Sequence, residues 1–586
     1  MFVVEWRAIR SGLSGGLIRL AGFFVIFALL GMFIQMVTVA YPILASSSLT
    51  PAAPSAVFDA SSPRLPSATK DAASSPNTSR PNKGFVFTAP GGWELQGDSG
   101  KPWFWVHELT GLRIENTALP TDWVKATMVG RSRGLVLLSE KGGVSHHYYI
   151  GPKLEGEATS TQLVEQRTLN TRVVLLEGHP RLSVVAIATS LNTIEILDFR
   201  NPETLLTQDV GFAPTALSWE SAGRVVAVGT EESRVFDFKT TDIGGAWNRL
   251  IAPVHYEGYE EPDYVWLPLP ASEEAEPKYS LAPLLFGTFK GAVLALIFAV
   301  PLSMGAAIYV GFFMSETQRR RVRPAIELLT AFPTVVLGAI GLFWIAPHFE
   351  YVLAGLIGVV LVFPLLATLA FFLLRGGGVR LVRLDALDDW PLKFLPMVLF
   401  ILIASAWCGV SVASHLPGGS LGGFLATQGI TLSYFNALLV GLILALAITP
   451  TIFSVAEEAI HSVPQNLSSG ALALGSTPWQ SYRDIVLPLA MPGMIAAVMI
   501  GFGRAAGETM IFLMLSGNSG VIDSNIFEGL RSVSASLALE LPEAPRNSSH
   551  YHVLFVMGLL LFACTFAINT AAELIKDRVK ARARGV

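Results

Sequence analysis

The stretch Ala456–Gly517 reads AEEAIHSVPQNLSSGALALGSTPWQSYRDIVLPLAMPGMIAAVMIGFGRAAGETMIFLMLSG. Its first part is polar and ends at Pro488, and an apolar run of membrane-spanning length follows from Ala490. Arg504 and Glu508 lie inside this apolar run. Residues four apart share a helix face at about 5–6 Å, and an ionisable group in a membrane costs about 2.5–3.5 kcal/mol or more. The stretch therefore predicts a membrane helix whose charges pair, either along an internal path or as a structural clasp.

The composition of the whole chain is that of a polytopic membrane protein. It has 586 residues, a mean hydropathy of +0.51, 51% hydrophobic residues and 15% charged residues. Cys408 and Cys564 are the two cysteines, and both lie in apolar runs. The sequence therefore excludes a disulfide framework and a cysteine-based metal cluster.

The N-terminal region begins with a short basic segment and continues as the apolar run Ala21–Ile43. About 20 apolar residues cross the hydrocarbon core. A cleaved signal peptide, cut near Ala45, is the alternative, but its apolar part is usually only about 7–15 residues long. We therefore predict a cytoplasmic stub and a retained helix over residues 1–44. The Ser-, Pro- and Ala-rich residues 45–83 predict a disordered linker.

Residues 84–264 alternate short β-prone runs with turn residues and predict an inserted all-β domain. A weak repeat places Val184-Val185-Ala186 and Val225-Val226-Ala227 about 40 residues apart, the spacing of a propeller blade. The length allows about four blades at most, so stacked sheets are the safer prediction and a propeller-like form stays possible. His146-His147 lacks partners at metal spacing, and the aromatic group Trp103–Trp105 is more typical of core than of a ligand site.

Residues 265–283 are predicted to be a second linker, and residues 284–586 a membrane domain. The predicted spans of this domain are Gly291–Phe313, Ala325–Trp344, Val352–Leu374, Phe394–Ala413, Phe435–Val455, Ala490–Leu515 and His552–Ala572. With Ala21–Ile43 they make about eight transmembrane helices, a polytopic α-helical fold in the lipid bilayer.

Loop charges predict the orientation. Arginines and lysines cluster at 319–323, at 375–393 and after residue 575, whereas 347–350 and 414–430 contain none. Such residues favour the cytoplasmic side. Both termini and residues 456–488 are then cytoplasmic, and the β domain is periplasmic. Residues 45–280 hold 20 Lys+Arg against 28 Asp+Glu, an acidic balance that gives only weak support to translocation of this domain. We expect no nucleic-acid partner.

The polar part of the opening stretch is similar to the cytoplasmic loop of ABC-importer permeases, E-A-A-x3-G-x9-I-x-L-P. Ser469, Gly470, Ala471, Gly475, Ile485, Leu487 and Pro488 fall at every spacing of that loop. Ser469 and Gly470 depart from it, since the family usually has Glu and Ala there. The resemblance implies that residues 456–488, the coupling segment, carry a helix that docks on a cytoplasmic ATPase dimer. Gly475 is suited to ending this helix, and Trp479 and Tyr482 to anchoring it in a partner groove.

A second resemblance narrows the family. Gly503–Met510 resembles the G-R-A-x-G-E-T-M stretch of phosphate-importer permeases of the PstC and PstA type. Residues 284–309 and 324–338 look like early spans of that family. The similarity covers about 281–347 and 435–572, and the long N-terminal insertion is like that of large PstC-type chains. The β domain and the spans around 352–413 depart from the compact family core.

The resemblance also implies the substrate and the residues that meet it. The transport-critical Arg and Glu of the family map onto Arg504 and Glu508. A guanidinium matches phosphate oxygens, and the carboxylate prevents permanent trapping. An interhelical salt bridge without substrate contact is the alternative. Thr334 and Thr509 are candidate hydroxyl donors, although such hydroxyls often bond their own backbone.

Three functional hypotheses follow. The first is a phosphate permease that works with a second permease, copy or homologue, and a periplasmic phosphate-binding protein. The second is a non-transporting phosphate sensor with the same partners, and the third is a β-domain enzyme or envelope-binding module. The sequence contains no G-x-x-x-x-G-K-[ST] motif, so ATP hydrolysis is expected from another subunit, and we expect no cofactor, metal or catalytic residue in this chain. The sequence does not separate phosphate from sulfate or molybdate.

Overall fold

The computed structural model describes residues 2–45, 47–52, 85–89, 93–98, 101–107, 113–116, 119–130, 134–150, 160–169, 171–200, 205–221, 223–241, 248–254, 256, 259, 261–269, 277–376 and 390–584. The chain divides into two compact units, Met1–Ala282 with Ala544–Val556, and Pro283–Glu543 with Met557–Val586. The linker predicted over 45–83 lies mostly outside the described residues.

The first unit begins with the apolar helix α1, Phe2–Leu44. The strand β1, Ser48–Pro51, follows it and pairs antiparallel with the last strand of the β domain, residues 233–239. The prediction of a disordered linker is therefore wrong for residues 48–51. These residues satisfy their backbone groups on the open edge of a sheet, a partner that local composition cannot reveal.

The β domain consists of antiparallel sheets of four strands. Its further strands are β2 Phe85–Ala89, β3 Trp93–Gly97, β4 Trp103–His107, β5 Arg113–Asn116, β6 Trp123–Val129, β7 Gly134–Ser139, β8 Gly143–Ile150, β9 Ser160–Thr168, β10 Val173–Gly178, β11 Val184–Thr189, β12 Thr193–Asp198, β13 Leu205–Asp209, β14 Ala216–Ser221, β15 Arg224–Val228 and β16 Ser233–Lys239. The sheets are β2–β5, β6–β9, β10–β13 and β14–β16 with β1 at the edge.

Each sheet packs on the next through an apolar cluster. The clusters join the first sheet to the second, the second to the third and the third to the fourth. The repeated Val184 and Val225 lie in β11 and β15, the second strands of their sheets, so the 40-residue repeat corresponds to one sheet. The all-β prediction is confirmed.

The conspicuous aromatic and histidine side chains of this domain belong to its core. Trp103 and Trp105 are fully buried, as predicted. His146 is buried and stacks on Phe199 at 4.6 Å between ring centroids. His147 is buried with Nε2 2.9 Å from Ser145 Oγ. Within the described residues, no group of three or more His, Cys, Asp or Glu could hold a metal ion.

The first unit closes with the short helix α2, Asn248–Ile251, and the strand pair β17, Trp266–Leu267, and β18, Lys278–Tyr279. The segment predicted as a second linker thus contains a small antiparallel ladder.

The remaining helices form the membrane domain, and they lie in the second unit except for Ala282 and residues 549–556, which belong to the first. They are α3 Ala282–Ile308, α4 Glu316–Leu328, α5 Thr334–Ile340, α6 Phe349–Gly376, α7 Trp390–Ala413, α8 Leu421–Thr427, α9 Ala437–His461, α10 Gln465–Ala473, α11 Pro478–Ser481, α12 Leu487–Gly507, α13 Met510–Leu515, α14 Val533–Glu540 and α15 Ser549–Arg584. A π-helical turn, Tyr309–Phe313, continues α3, and another, Tyr482–Val486, leads into α12. The helix α9 is central, since it supplies more buried residues to the core than any other helix, and it packs along α12.

Seven helical stretches of the described residues are long and apolar enough to cross a membrane. They are Leu20–Ile43, Ala282–Phe313, Thr334–Leu373, Pro396–Ala413, Ala437–His461, Pro478–Gly507 and Ser549–Ile575. The count differs from the predicted eight because the spans expected at 325–344 and 352–374 form one helical stretch of 40 residues. A π-helical turn and the 3-10 turn Ala346–His348 carry the helix through Pro347, which is tolerated at the start of such a turn.

Candidate functional site

The segment that contains the predicted charge pair is a broken helix. The helix α12 ends at Gly507, and Glu508 is extended with φ −66° and ψ 135°. Ser534 Oγ of α14 donates a hydrogen bond to the Glu508 carbonyl oxygen at 2.5 Å. The backbone N–H of Met510 donates to Glu508 Oε1 at 3.3 Å. These bonds replace helical ones, so the chain can leave the helix at residues 508–509, here called the helix break.

The predicted pairing of Arg504 with Glu508 along one helix face is therefore wrong. Arg504 lies in the last turn of α12, whereas Glu508 lies beyond its end and caps the start of α13. Arg504 Nη1 instead donates to Thr451 Oγ1 of α9. In the part of the chain that the structure describes, no ion pair involves Arg504, so a neutral hydroxyl holds a half-buried positive charge.

Thr451 was missed by the sequence reasoning. It lies 53 residues before Arg504, and nothing local indicates that the two helices touch. The small residues of α12 were the available signal, because they permit close helix packing. A Cβ on Gly501 would lie 2.5 Å from Ile452 Cγ1, which shows how closely α12 approaches α9 beside Thr451.

Thr509 lies in the helix break, and α5, which begins at Thr334, packs beside α13 just beyond the break. A Cβ on Gly338 of α5 would lie 2.8 Å from Met514 Sδ and 3.6 Å from the Met510 carbonyl oxygen, and a Cβ on Gly341 would lie 2.7 Å from Leu515 Cδ1. The helix α5 therefore packs against α13, with Gly338 beside the first turn of α13. Thr334 is the first residue of α5. Within the described chain no hydrogen bond joins Thr334 to Arg504 or Glu508.

The helix α10 of the coupling segment ends in a Schellman motif. The N–H of Gly475 donates to the Leu472 carbonyl at 3.0 Å, and the N–H of Ser476 donates to the Ala471 carbonyl at 3.1 Å. Gly475 has φ +94°, which side chains other than glycine resist. Ser469 and Gly470 are exposed on this helix, and the Ser469 hydroxyl bonds the Gln465 carbonyl. Gly475 thus ends the helix as its place in the motif predicts.

The rest of the coupling segment turns back toward the membrane domain. Thr477 and Gln480 form a reciprocal capping box at the start of α11. Trp479 is 58% exposed, as an anchor for a partner requires, but Tyr482 is only 2% exposed. The prediction that Tyr482 anchors a partner is therefore wrong, because its ring packs on Phe312.

The motif ends at the entry to α12. Ile485 lies in the π-helical turn, and Leu487 and Pro488 are the first residues of α12. Pro488 has no N–H to donate within this continuous helical stretch, and the π-helical turn just before it accommodates the missing bond. A cavity of about 730 Å³ lies between α10, the end of α9 and the π-helical turn Tyr309–Phe313.

Comparison with known proteins identifies the family. The family described as "Binding-protein-dependent transport system inner membrane component" matches residues 390–585. The phosphate transport system permease protein PstC of Pasteurella multocida is 30% identical over 297 residues, which are 50% of this chain and 74% of that protein. PstC of Mesorhizobium japonicum is 28% identical over 303 residues, which are 52% of this chain and 75% of that protein.

A solved structure of the MetNI methionine ABC transporter in inward-facing conformations is 15% identical, with a TM-score of 0.29, and covers 51% of this chain and 94% of that chain. At that TM-score the likeness carries no argument. The family assignment rests instead on the sequence relatives, on the matched permease domain and on the multiple membrane-spanning helices. This chain belongs to the PstC family of ABC-transporter permeases, which are multi-pass inner-membrane proteins.

Proposed function

We propose that this chain forms part of the translocation pathway for inorganic phosphate in an ABC importer. The proposal rests on Arg504, which lies one turn before the helix break and whose guanidinium is held by the neutral Thr451 hydroxyl. A carboxylate partner would cancel its charge, whereas a hydroxyl orients it and leaves the charge for an anion. The PstC relatives make phosphate the best-supported anion.

Glu508 limits how tightly an anion is held at this place. Its carboxylate bonds the Met510 amide, so it is fixed near the break without neutralising Arg504. A hydrated anion needs donors along its route and must also leave, and a nearby negative charge opposes trapping. Thr334, at the start of α5, and Thr509, in the helix break, are the hydroxyl donors of this proposal.

The charge pattern supports an orientation with the coupling segment in the cytoplasm. Arginines of α4 precede Thr334–Leu373, and the basic residues from Arg375 onward follow it. Positive residues on both sides require the stretch between them to cross twice. One crossing takes about 20 residues. The first leg therefore also uses the end of α4, from about residue 325 as predicted, and the second leg takes residues 349–373. We place the bend at the 3-10 turn Ala346–His348, both termini in the cytoplasm and the β domain in the periplasm.

The partners follow from this arrangement. The exposed α10 and Trp479 offer a surface for a cytoplasmic ATPase dimer. A second permease subunit completes the pathway, and a periplasmic phosphate-binding protein delivers the substrate. ATP-driven closure of the ATPase dimer moves the coupling segments and switches the pathway from an outward-facing to an inward-facing state.

The test is uptake of radiolabelled phosphate into proteoliposomes that hold the complete complex, with sulfate as competitor. We expect ATP-dependent uptake that sulfate does not reduce. Arg504→Ala should abolish uptake and leave the complex assembled, because only the donor is lost. Uptake unchanged by this substitution would remove Arg504 from the mechanism, and uptake blocked by sulfate would change the anion.

A non-transporting sensor is the second candidate, and Ser469 favours it. The exposed face of α10 carries a serine whose hydroxyl bonds its own helix, where related permeases usually have a glutamate. A lost carboxylate weakens contact with the ATPase. An assembled, ATP-binding complex without uptake would support this candidate, and recovery of uptake in Ser469→Glu would identify the cause.

A further inference from the structure

Glu457 is a buried carboxylate that the transport proposal does not use. It lies in the last turns of α9 and is 0% exposed. Arg319 Nη2 of α4 contacts its Oε1, and Arg323 Nη1 lies 3.4 Å from its Oε2. The Arg319 side chain is itself 8% exposed. Buried charges persist when they are paired, and this pair joins α4 to α9; removal of one partner would leave a buried charge uncompensated.

Arg319 also reaches the last residue of α9. Its Nη1 contacts His461 Nδ1. Because a guanidinium only donates, the Nδ1 atom accepts. Glu457 and His461 are four residues apart and share one helix face. The helix α10 starts at Gln465, so Arg319 holds the turn from which α10 departs.

The π-helical turn Tyr309–Phe313, which precedes α4, has apolar contacts on two sides. One side meets residues of the coupling segment before α10, and the other meets residues after it. On one side, a Cβ on Gly311 would lie 3.3 Å from Ile460 Cβ. On the other side, Phe312 and Phe313 lie 5.6 and 6.0 Å from Tyr482 between ring centroids. The cytoplasmic end of α3 is therefore enclosed by residues that precede and follow α10.

We infer that Glu457 is a positioning residue that fixes the end of α3 and α4 to the coupling segment, so that they move as one body. The inference rests on the proposed function, since it concerns how ATP-driven motion reaches the pathway. The helix α4 leads directly to α5, which begins at Thr334 and packs on α13 beyond the helix break. A movement of α10 is then transmitted along two routes. One route is α12, which ends at the helix break, and the other is α4 and α5, which reach α13 beyond it.

A reversible cross-link tests whether these segments move together. Gly311→Cys and Ile460→Cys, in a chain with Cys408→Ser and Cys564→Ser, place two thiols where the Cβ atoms lie 3.3 Å apart. A disulfide takes about 3.5–4.5 Å, so it forms with a small adjustment. We expect oxidised and reduced complexes to take up phosphate at rates within about twofold of each other. Inhibition by the disulfide that a reductant reverses would show relative motion and overturn the inference.

Glu457→Gln tests the residue itself, and Glu458→Gln is its matched control, since Glu458 is exposed. The measurement is phosphate taken up per ATP hydrolysed by the assembled complex. We expect Glu457→Gln to lower this ratio about tenfold while ATP hydrolysis continues, and Glu458→Gln to leave it unchanged. A ratio unchanged in Glu457→Gln would overturn the inference.

The disulfide separates positioning from folding. Added to Glu457→Gln, it should restore the ratio when oxidised and lose it again on reduction. A Glu457→Gln chain that fails to assemble, or to couple, in the oxidised form as well would show a purely structural role and overturn the inference. The wild-type complex is measured first. If it does not transport phosphate, the proposed function and this inference are both overturned. If it transports normally, a failure of the predictions for the Glu457 variants overturns this inference alone.

Discussion

At the scale of single residues, the proposed pathway depends on which group holds Arg504. The guanidinium donates a hydrogen bond to the Thr451 hydroxyl on a different helix, and the Glu508 carboxylate accepts one from the first residue of α13. Both ionisable residues were identifiable from the sequence, because charges inside an apolar run are costly. Their geometry was not, because the helix break depends on Ser534, which lies 26 residues from Glu508.

Thr451→Val should slow phosphate uptake by about tenfold or more, since a hydrogen bond to a charged group is worth about 1.5–3 kcal/mol. The side chain keeps its size, so packing of α9 on α12 is retained. Thr451→Ser keeps the hydroxyl and should transport nearly as well as the wild type. Equal uptake by the valine and serine variants would show that Thr451 does not orient Arg504.

The β domain should lose stability in acid through His147. Burial lowers the pKa of His147 to about 4 from 6.5. As the pH falls, His147 is protonated in the unfolded chain before it is protonated in the folded domain. Its contribution to the free energy of unfolding is therefore complete above pH 6.5 and is lost between pH 6.5 and about pH 4. Between pH 7 and pH 5 the loss from this group is about 2 kcal/mol.

Amide hydrogen exchange of β8 in the full chain measures this loss. Burial also raises the pKa of Glu177 to about 7, which acts in the opposite direction, so wild type and His147→Gln are compared at each pH. The glutamine does not titrate and should remove only the contribution of His147. The same pH dependence in both proteins would contradict the assignment to this residue.

At the scale of elements, the coupling helix illustrates what a motif can specify. The spacing from Ser469 to Pro488 predicted a helix that ends at Gly475, and the Schellman motif there confirms it. Turn chemistry is local, so sequence reveals it. The burial of Tyr482 against Phe312 was not predictable, because it depends on the distant end of α3.

Gly475→Ala should weaken coupling, with Gly470→Ala as the matched control. An added Cβ meets nothing within 4 Å at either position, so the two substitutions differ in backbone conformation alone. At φ +94° a side chain costs about 1 kcal/mol or more, whereas alanine inside a helix gains about 0.5–1 kcal/mol over glycine. We expect uptake per ATP to fall severalfold in Gly475→Ala only. A similar fall in both variants would indicate that contact with the ATPase, not the helix end, is affected.

At the scale of the whole molecule, the chain is an importer permease core with a separate all-β domain in its first unit. Hydropathy and loop charge were enough to find the membrane helices and the β region. They did not distinguish one long helical stretch at Thr334–Leu373 from two, because a proline within an apolar run fits either.

Removal of the β domain should leave transport intact. The second unit has its own large apolar core, built from residues 292–535 without any contribution from the β strands. A chain in which a short flexible linker replaces residues 47–277 should assemble and take up phosphate within about twofold of the wild-type rate. The two chains are compared in the same proteoliposome assay at equal amounts of assembled complex. Loss of uptake from a well-assembled shortened complex would give the domain a direct role in transport.

The pairing of β1 with β16 also means that the last sheet of the β domain can be completed only late in synthesis. The Ser47 and Thr240 hydroxyls, 2.8 Å apart beside this ladder, are separated by 193 residues of chain. A ribosome adds about 5–20 residues per second, so the first strand waits roughly 10–40 s for its partner. During that interval the waiting strand, and then the growing last sheet, present unpaired edges that can join other chains. The β domain is therefore most exposed to aggregation while it is being synthesised, and a chaperone would matter most in those seconds.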